Sequence, residues 1–269
     1  MYGDAGTMSG NAHGGGDSLR GGNFADNYLY GDAYSMSGNA HGGGDSLRGG
    51  TFADNYLYGD AYFMSDNAHG GDDTLTGGPV ATSYLYGDAY LMSDNAHGGD
   101  DTLTGGGPAT NYLFGDAYDM HGNARGGDDT LTGGPDATSY LYGDAYSMSD
   151  NAHGGDDRLI SGTGTDHMWG DAQFINGVAA SPTASTGNVI TGADTFVFAP
   201  GNGTDDVNDF RQSDHDKVDV SAYGFHSLAD MVITDMGADT KIAFDATNSV
   251  TLIGISDPSV LHASDFIFA

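Results

Sequence analysis

The chain has no cysteine and no glutamate, and only seven lysines and arginines among its 269 residues. Without thiols, neither a disulfide framework nor a thiolate metal site can form. No apolar run approaches the ~20 residues needed to cross a bilayer as a helix. The first residues show no basic stretch followed by an apolar one, so no cleaved secretory leader is expected. The shortage of basic residues leaves 38 acids nearly unopposed, for a formal charge of −31. That balance argues against nucleic acids and anionic membrane surfaces as partners. With glutamate absent, every acid is an aspartate. A merely solvated acidic surface would mix the two, whereas the shorter side chain suits a tight turn closing on an ion.

Low hydrophobicity with this charge ordinarily implies disorder, and 46 glycines add to the entropy lost on folding. The leucines and tyrosines nevertheless fall at regular intervals. The composition therefore implies conditional order: a chain that is self-repelling without a bound cation and folded with one.

The regularity is a repeat. A Tyr-Gly-Asp-Ala element begins at Tyr2, Tyr30, Tyr58, Tyr86, Phe114 (as Phe-Gly-Asp-Ala) and Tyr142, always at the same spacing. A degenerate copy follows at Trp169, a single position short of the next full period. Each complete copy also carries a glycine-rich turn ending in aspartate, most clearly Gly98-Gly99-Asp100-Asp101-Thr102-Leu103-Thr104. So strict a period implies stacked coils, because a single unit cannot bury its own apolar face. Glycines that free the backbone, with short carboxylates in the same turn, describe a calcium site. Met1 falls where other copies have Leu29 and Leu57, so the chain begins inside a repeat. Either it continues a longer protein or the natural start carries no cap.

Three zones are expected: repeats over 1–172, a connector over 173–190 rich in small residues, and a β-patterned region over 191–269. One short helix is expected near Ser227–Val232. Within a coil, Leu57, Leu85, Leu113 and Leu141 are followed seven residues later by Met64, Met92, Met120 and Met148. Leu75, Leu103, Leu131 and Leu159 come eleven after that. Each is central in a triplet, as a strand with an inward middle residue requires. The reading is all-β: a right-handed parallel β-solenoid (a β-roll or β-helix) with three short strands per 28-residue coil. A two-sided roll with half-turns of nine, nine and ten residues fits the same spacings. About six coils would make the repeat zone ~30 Å long, and about nine would make it ~44 Å.

The turn resembles the nonapeptide G-G-x-G-x-D-x-U-x of calcium-binding RTX (hemolysin-type) repeats. In Gly70-Gly71-Asp72-Asp73-Thr74-Leu75, Gly71 falls on the fourth position, Asp73 on the ligand and Leu75 on the inward apolar residue. The resemblance implies several calcium ions between stacked turns. It assigns them Gly15 and Asp17, Gly43 and Asp45, then Gly71, Asp72 and Asp73. The next copies give Gly99, Asp100 and Asp101; Gly127, Asp128 and Asp129; and Gly155, Asp156 and Asp157. Gly164 and Asp166 match as well. Farther on, Asp194, Gly201, Gly203 and Asp205 fall in Gly-Ala-Asp-Thr-Phe-Val-Phe and Gly-Asn-Gly-Thr-Asp, which resemble the serralysin-like C-terminal domain of RTX proteins. That domain is expected to cap the solenoid. Gly16 and Gly44 replace the first aspartate of later copies, so those sites are expected to be weaker. The Tyr-Gly-Asp-Ala element is preceded by Asn27, Asn55, Ser83, Asn111 or Ser139 where the family has Asp, and no calcium is expected there.

The final Asp265-Phe266-Ile267-Phe268-Ala269 resembles the uncleaved signal read by type I secretion machinery. The resemblance thus implies export from a Gram-negative cytoplasm and folding outside, where calcium is abundant. A structural or adhesive module meeting a cell-surface or matrix ligand follows, with the tail of a larger secreted hydrolase or toxin as an alternative. An ice-binding solenoid is a third reading, from the Thr74/Thr76, Thr102/Thr104 and Thr130/Thr132 pairs. No enzyme activity is expected. The histidines at 13, 41, 69, 97 and 153 are read as turn residues before a transition-metal row, and the methionines as core. The Tyr28, Tyr56, Tyr84, Tyr112 and Tyr140 column is read as a strand-stabilising ladder ahead of a glycan or protein platform.

Overall fold

Each apolar residue of the repeat stacks on its own counterpart in the next coil. In a computed structural model describing residues 1–269, Leu47 pairs with Leu75, Leu75 with Leu103 and Leu103 with Leu131, all in parallel strands. Tyr56 pairs with Tyr84 and Met64 with Met92 in the same register. Every rung is thus displaced by one complete repeat, which identifies the coil as the long one and excludes the two-sided roll. The fold is a parallel β-solenoid with three strands per coil.

Three sheets run along it. The first is built from triplets such as Thr74–Thr76 and Thr102–Thr104, whose central leucine is buried while its neighbours face outward. The second contains Ser83–Tyr86 and Thr110–Phe114, and the third Ala89–Met92 and Ala117–Met120. β-Branched and aromatic residues suit these pleated positions. The interior holds two main apolar cores, beside a third, smaller cluster of stacked aromatics, Tyr30, Tyr58, Tyr86, Phe114, Tyr142 and Trp169. Leucines from the first two sheets fill one, and the methionines with Ala61, Ala68, Ala89 and Ala96 fill the other. The small alanines allow the third sheet and the returning histidine segment to lie close together. Where that loop turns, Gly10, Gly38, Asp66, Asp94, Gly122 and Asp150 all adopt positive φ. Only glycine and aspartate occupy that place, because few other residues tolerate it.

The sheets continue past the repeats. Thr195–Val197 adds to Arg158–Ile160 with Phe196 opposite Leu159, followed by Lys217–Asp219 and Phe266–Ile267. Thr204–Val207 extends the second sheet, then Ser249–Leu252, before the order turns antiparallel through Thr240–Ala243 and Val232–Asp235. That hairpin closes the C-terminal end. The segment 173–190, expected as a connector, instead lies within a coil. Ala172–Ile175 still stacks on Ala145–Met148, Val189 is buried in the methionine core, and Ile190 bridges to His153. Only the stretch between them loops out, and lengthening a surface loop costs little entropy. The expected helix is a single 3-10 turn, Leu228–Asp230. No helix is long and apolar enough to cross a membrane.

Candidate metal centres

The two main apolar cores are separated by aspartates. The chain enters the methionine loop through Tyr-Gly-Asp-Ala and leaves it through the glycine-rich turn, so these two segments, eleven residues apart in sequence, meet at a neck. Two carboxylate columns run along the neck. The first comprises Asp45, Asp73, Asp101, Asp129, Asp157, Asp194 and Asp216, all buried, with the half-buried Asp17 at its N-terminal end. Each accepts the backbone N–H of the preceding member through Oδ1: Asp73 from Asp45 at 2.6 Å, Asp101 from Asp73 at 2.7 Å and Asp194 from Asp157 at 2.9 Å. The second comprises Asp32, Asp60, Asp88, Asp116, Asp144 and Asp171, all buried. These accept N–H groups from the glycine-rich turn of their own coil, for example Gly99 on Asp88 at 3.0 Å and Gly127 on Asp116 at 2.9 Å.

Much of this bonding capacity is unmet. In the first column the Oδ2 atoms of Asp17, Asp45, Asp73, Asp101, Asp129, Asp157 and Asp194 are buried with no hydrogen-bond partner. The same holds for one oxygen each of Asp32, Asp88, Asp116 and Asp144 in the second column, and of Asp166 nearby. Buried polar atoms are nearly always paired, and burying an unpaired charge is more costly still. Twelve such oxygens, all but that of Asp166 aligned along the neck, form a lining that fits cations.

The surroundings fit a hard cation. A Cβ added to Gly59 would overlap Asp73 Oδ2 and the Gly87 carbonyl, and one added to Gly70 would overlap Asp88 Oδ1 and Asp60 Oδ2. The glycines thus let backbone oxygens and carboxylates of adjacent rungs gather at one spot. No three acidic or histidine side chains form a ready-made metal cluster. The carboxylates meet in pairs, and backbone carbonyls make up the oxygen set. An all-oxygen set of this kind suits Ca²⁺, which takes six to eight oxygens in flexible geometry.

Burial dominates the electrostatics. It raises the Asp45 carboxyl to about 6, those of Asp32 and Asp88 to about 7 and that of Asp73 to about 10. Neighbouring carboxylates push Asp101, Asp116, Asp129 and Asp144 upward in the same direction, after burial itself. Without metal, folding therefore favours protonated aspartate. That contribution is complete below the unfolded value near 3.8 and is lost as pH rises through about 6 for Asp45 and about 7 for Asp32 and Asp88. In chelator, the β signal in circular dichroism should be stronger at pH 3.5 than at pH 8. In calcium the order should reverse, because protons then compete with the ion.

The sequence-derived residues divide into distinct places. Gly43, Gly71, Gly99, Gly127 and Gly155 line the neck and donate to the second column; Gly15 does the same at the exposed first rung, to Asp4. Asp72, Asp100, Asp128 and Asp156 face solvent on the outside of the turn, outside the neck. They form their own row, with the Asp100 N–H on Asp72 at 3.1 Å and that of Asp128 on Asp100 at 2.9 Å. Asp166 and Asp205 meet at a third corner, where the Asp166 N–H donates to Asp205 at 3.0 Å and Ser161 Oγ to both carboxylates. Earlier rungs hold neutral Asn27, Asn55, Ser83, Asn111 and Ser139 at that corner, each taking a glycine N–H. Gly164 packs on the Ala137 carbonyl beside it, and Gly201 and Gly203 form the positive-φ turn leading to Asp205.

The second column lies outside the turns to which the sequence assigns calcium. Its signal lay in the aspartate kept in all seven copies of the Tyr-Gly-Asp-Ala element, whatever precedes it.

Two other rows stack in register along the solenoid. The histidine rings of His13, His41, His69 and His97 stack 4.7–4.9 Å apart. Tyr28, Tyr56, Tyr84, Tyr112 and Tyr140 stack at 4.7–4.9 Å, within 8° of parallel. Their faces are covered by one another, so only ring edges and hydroxyls remain for a glycan.

Fold and neck together define the chain as a β-solenoid repeat protein with internal carboxylate columns. No family model and no curated protein matches its sequence. Among solved structures it is similar to the AlgE6R2 subunit of the mannuronan C5-epimerase of Azotobacter vinelandii. The identity is 20%, over 69% of this chain and 87% of that one, with a TM-score of 0.22. So low a score lends no weight to fold or function, which rest on the chain's own geometry.

Proposed function

We propose that the chain is a calcium-folded solenoid of the RTX type. The observation that carries this is the pair of columns, lined with unpartnered buried oxygens. Bound ions would supply the positive charge that lets like-charged rungs stack. Asp73, Asp101, Asp88 and their counterparts would hold them together with neck carbonyls. The formal charge of −31 supports the complementary half, a chain kept expanded where calcium is scarce. The proposal extends to one-step export by type I machinery from a Gram-negative cell, with calcium outside completing the fold. The rigid rod then serves as a structural or adhesive module for a cell-surface or matrix ligand. It assigns the chain no catalysis.

The threonine pairs stack in register over three coils only, with Ser46/Arg48 before them and Arg158/Ile160 after. So short an array does not favour ice binding.

Equilibrium dialysis against Ca²⁺ and Mg²⁺ tests the proposal. Several calcium ions should be retained per chain at millimolar concentration, while magnesium is held weakly. Equal retention of both, or of neither, contradicts it.

A further inference from the structure

The carboxylate columns end on a cation that the chain itself supplies. Of its seven lysines and arginines, only Arg211 is buried, with 3% of its side chain exposed. Its Nη1 lies 3.4 Å from Asp171 Oδ2 and 3.7 Å from Asp214 Oδ2. Its Nε donates to the Ser181 carbonyl at 3.3 Å, so the looped-out segment covers it. Its backbone N–H donates to Asp216 at 2.6 Å.

These partners are the column ends. Asp171 is the last aspartate of the second column, and the buried Asp216 ends the first, accepting the N–H of Asp194 through Oδ1. Asp209 closes the rung by accepting the N–H groups of Gly170 and Asp171 at 2.8 and 3.3 Å. In earlier rungs the corresponding groups bond carbonyls of the next coil, as Gly87 does to Phe114 and Asp88 to Asp116. Asp171 differs from Asp32, Asp88, Asp116 and Asp144 in having no unpartnered oxygen; Asp60 shares this, with the Gly71 N–H reaching both of its oxygens. At Asp171, Gly192 takes one and Arg211 the other.

We propose that Arg211 is a tethered counter-cation. Its guanidinium fills the terminal carboxylate station, where Asp32, Asp88, Asp116 and Asp144 each leave an oxygen for a divalent ion. A guanidinium stays charged at any working pH and cannot be removed by a chelator. The row of metal stations therefore stops at this rung, and this rung keeps its pairing when calcium is withdrawn. The inference rests on the calcium reading for the other stations, but not for its own.

The test uses the full chain as wild type, Arg211→Lys, Arg211→Met and the double variant Arg211→Met/Asp171→Asn. Amide hydrogen exchange is measured in EDTA and calcium retention by dialysis. In EDTA, the amides of Gly170, Asp171 and Asp194 should exchange roughly tenfold or more slowly in wild type and Arg211→Lys than in Arg211→Met. The double variant should recover protection, because the carboxylate left unpaired is gone. In calcium, Arg211→Met should retain an additional ion. Equal exchange in wild type and Arg211→Met overturns the proposal. So does an unprotected double variant, which would make the role one of packing, and so does unchanged stoichiometry in a wild type that binds calcium. If wild type binds no calcium, only the reading of the other stations fails, and the exchange measured in EDTA still decides the arginine.

Discussion

Asp101→Asn should weaken the calcium-loaded protein and strengthen the metal-free one. In the loaded state the substitution removes a charged ligand from the centre of the first column. The calcium concentration at the folding midpoint should then rise roughly tenfold or more, equivalent to ~1.4 kcal/mol. In the metal-free state the same change removes a buried charge lying against Asp73, Asp88 and Asp129. Residual β structure in chelator should therefore increase. Asp100→Asn, one residue away and exposed, should stay within about 0.5 kcal/mol of wild type in both conditions. Calcium titrations followed by circular dichroism measure all three proteins. A destabilised metal-free Asp101→Asn would mean that the carboxylate is held by protein contacts alone.

Gly87→Ala should be among the most damaging single methyls in the chain. Its Cβ would overlap the Gly115 carbonyl oxygen and Asp101 Oδ2, one belonging to the next coil and the other to the neck. Neither can retreat without breaking register, because Gly115 is itself tied to Tyr142 and Asp101 to Asp73. A cost of ~3 kcal/mol is expected for overpacking of this kind. For a chain of this size that lowers the melting temperature by roughly 6–12 °C. Gly6→Ala, where a Cβ meets no atom within 4 Å, is the control and should melt with wild type. A Gly87→Ala protein as stable as wild type would show that the rungs are not packed this closely.

Much of this architecture was legible in the sequence. The positions of Leu57, Met64 and Leu75 gave three strands per coil, since each marks an inward place that returns once in every repeat. The first column was legible because Asp73 sits two residues before an inward leucine in a glycine-rich turn. The second was not. Whether Asp88 is buried depends on the approach of Gly99, eleven residues later, across a loop whose closure is a property of the methionine core. The looped-out segment was misread for a related reason: Val189 and Ile190 restore the coil without matching the repeat. Arg211 gave no local signal, since its partners Asp171, Asp214 and Ser181 come together only when the last rung stacks.

The most direct measurement is a pair of thermal melts on one preparation, divided between EDTA and millimolar calcium at neutral pH and followed by far-ultraviolet circular dichroism. The calcium sample should show a β spectrum and a single steep transition, while in EDTA the rungs ahead of the one that Arg211 closes show coil from the start. Matching spectra and matching midpoints would mean that the buried aspartates tolerate one another unaided, and the role given to the ion would be wrong.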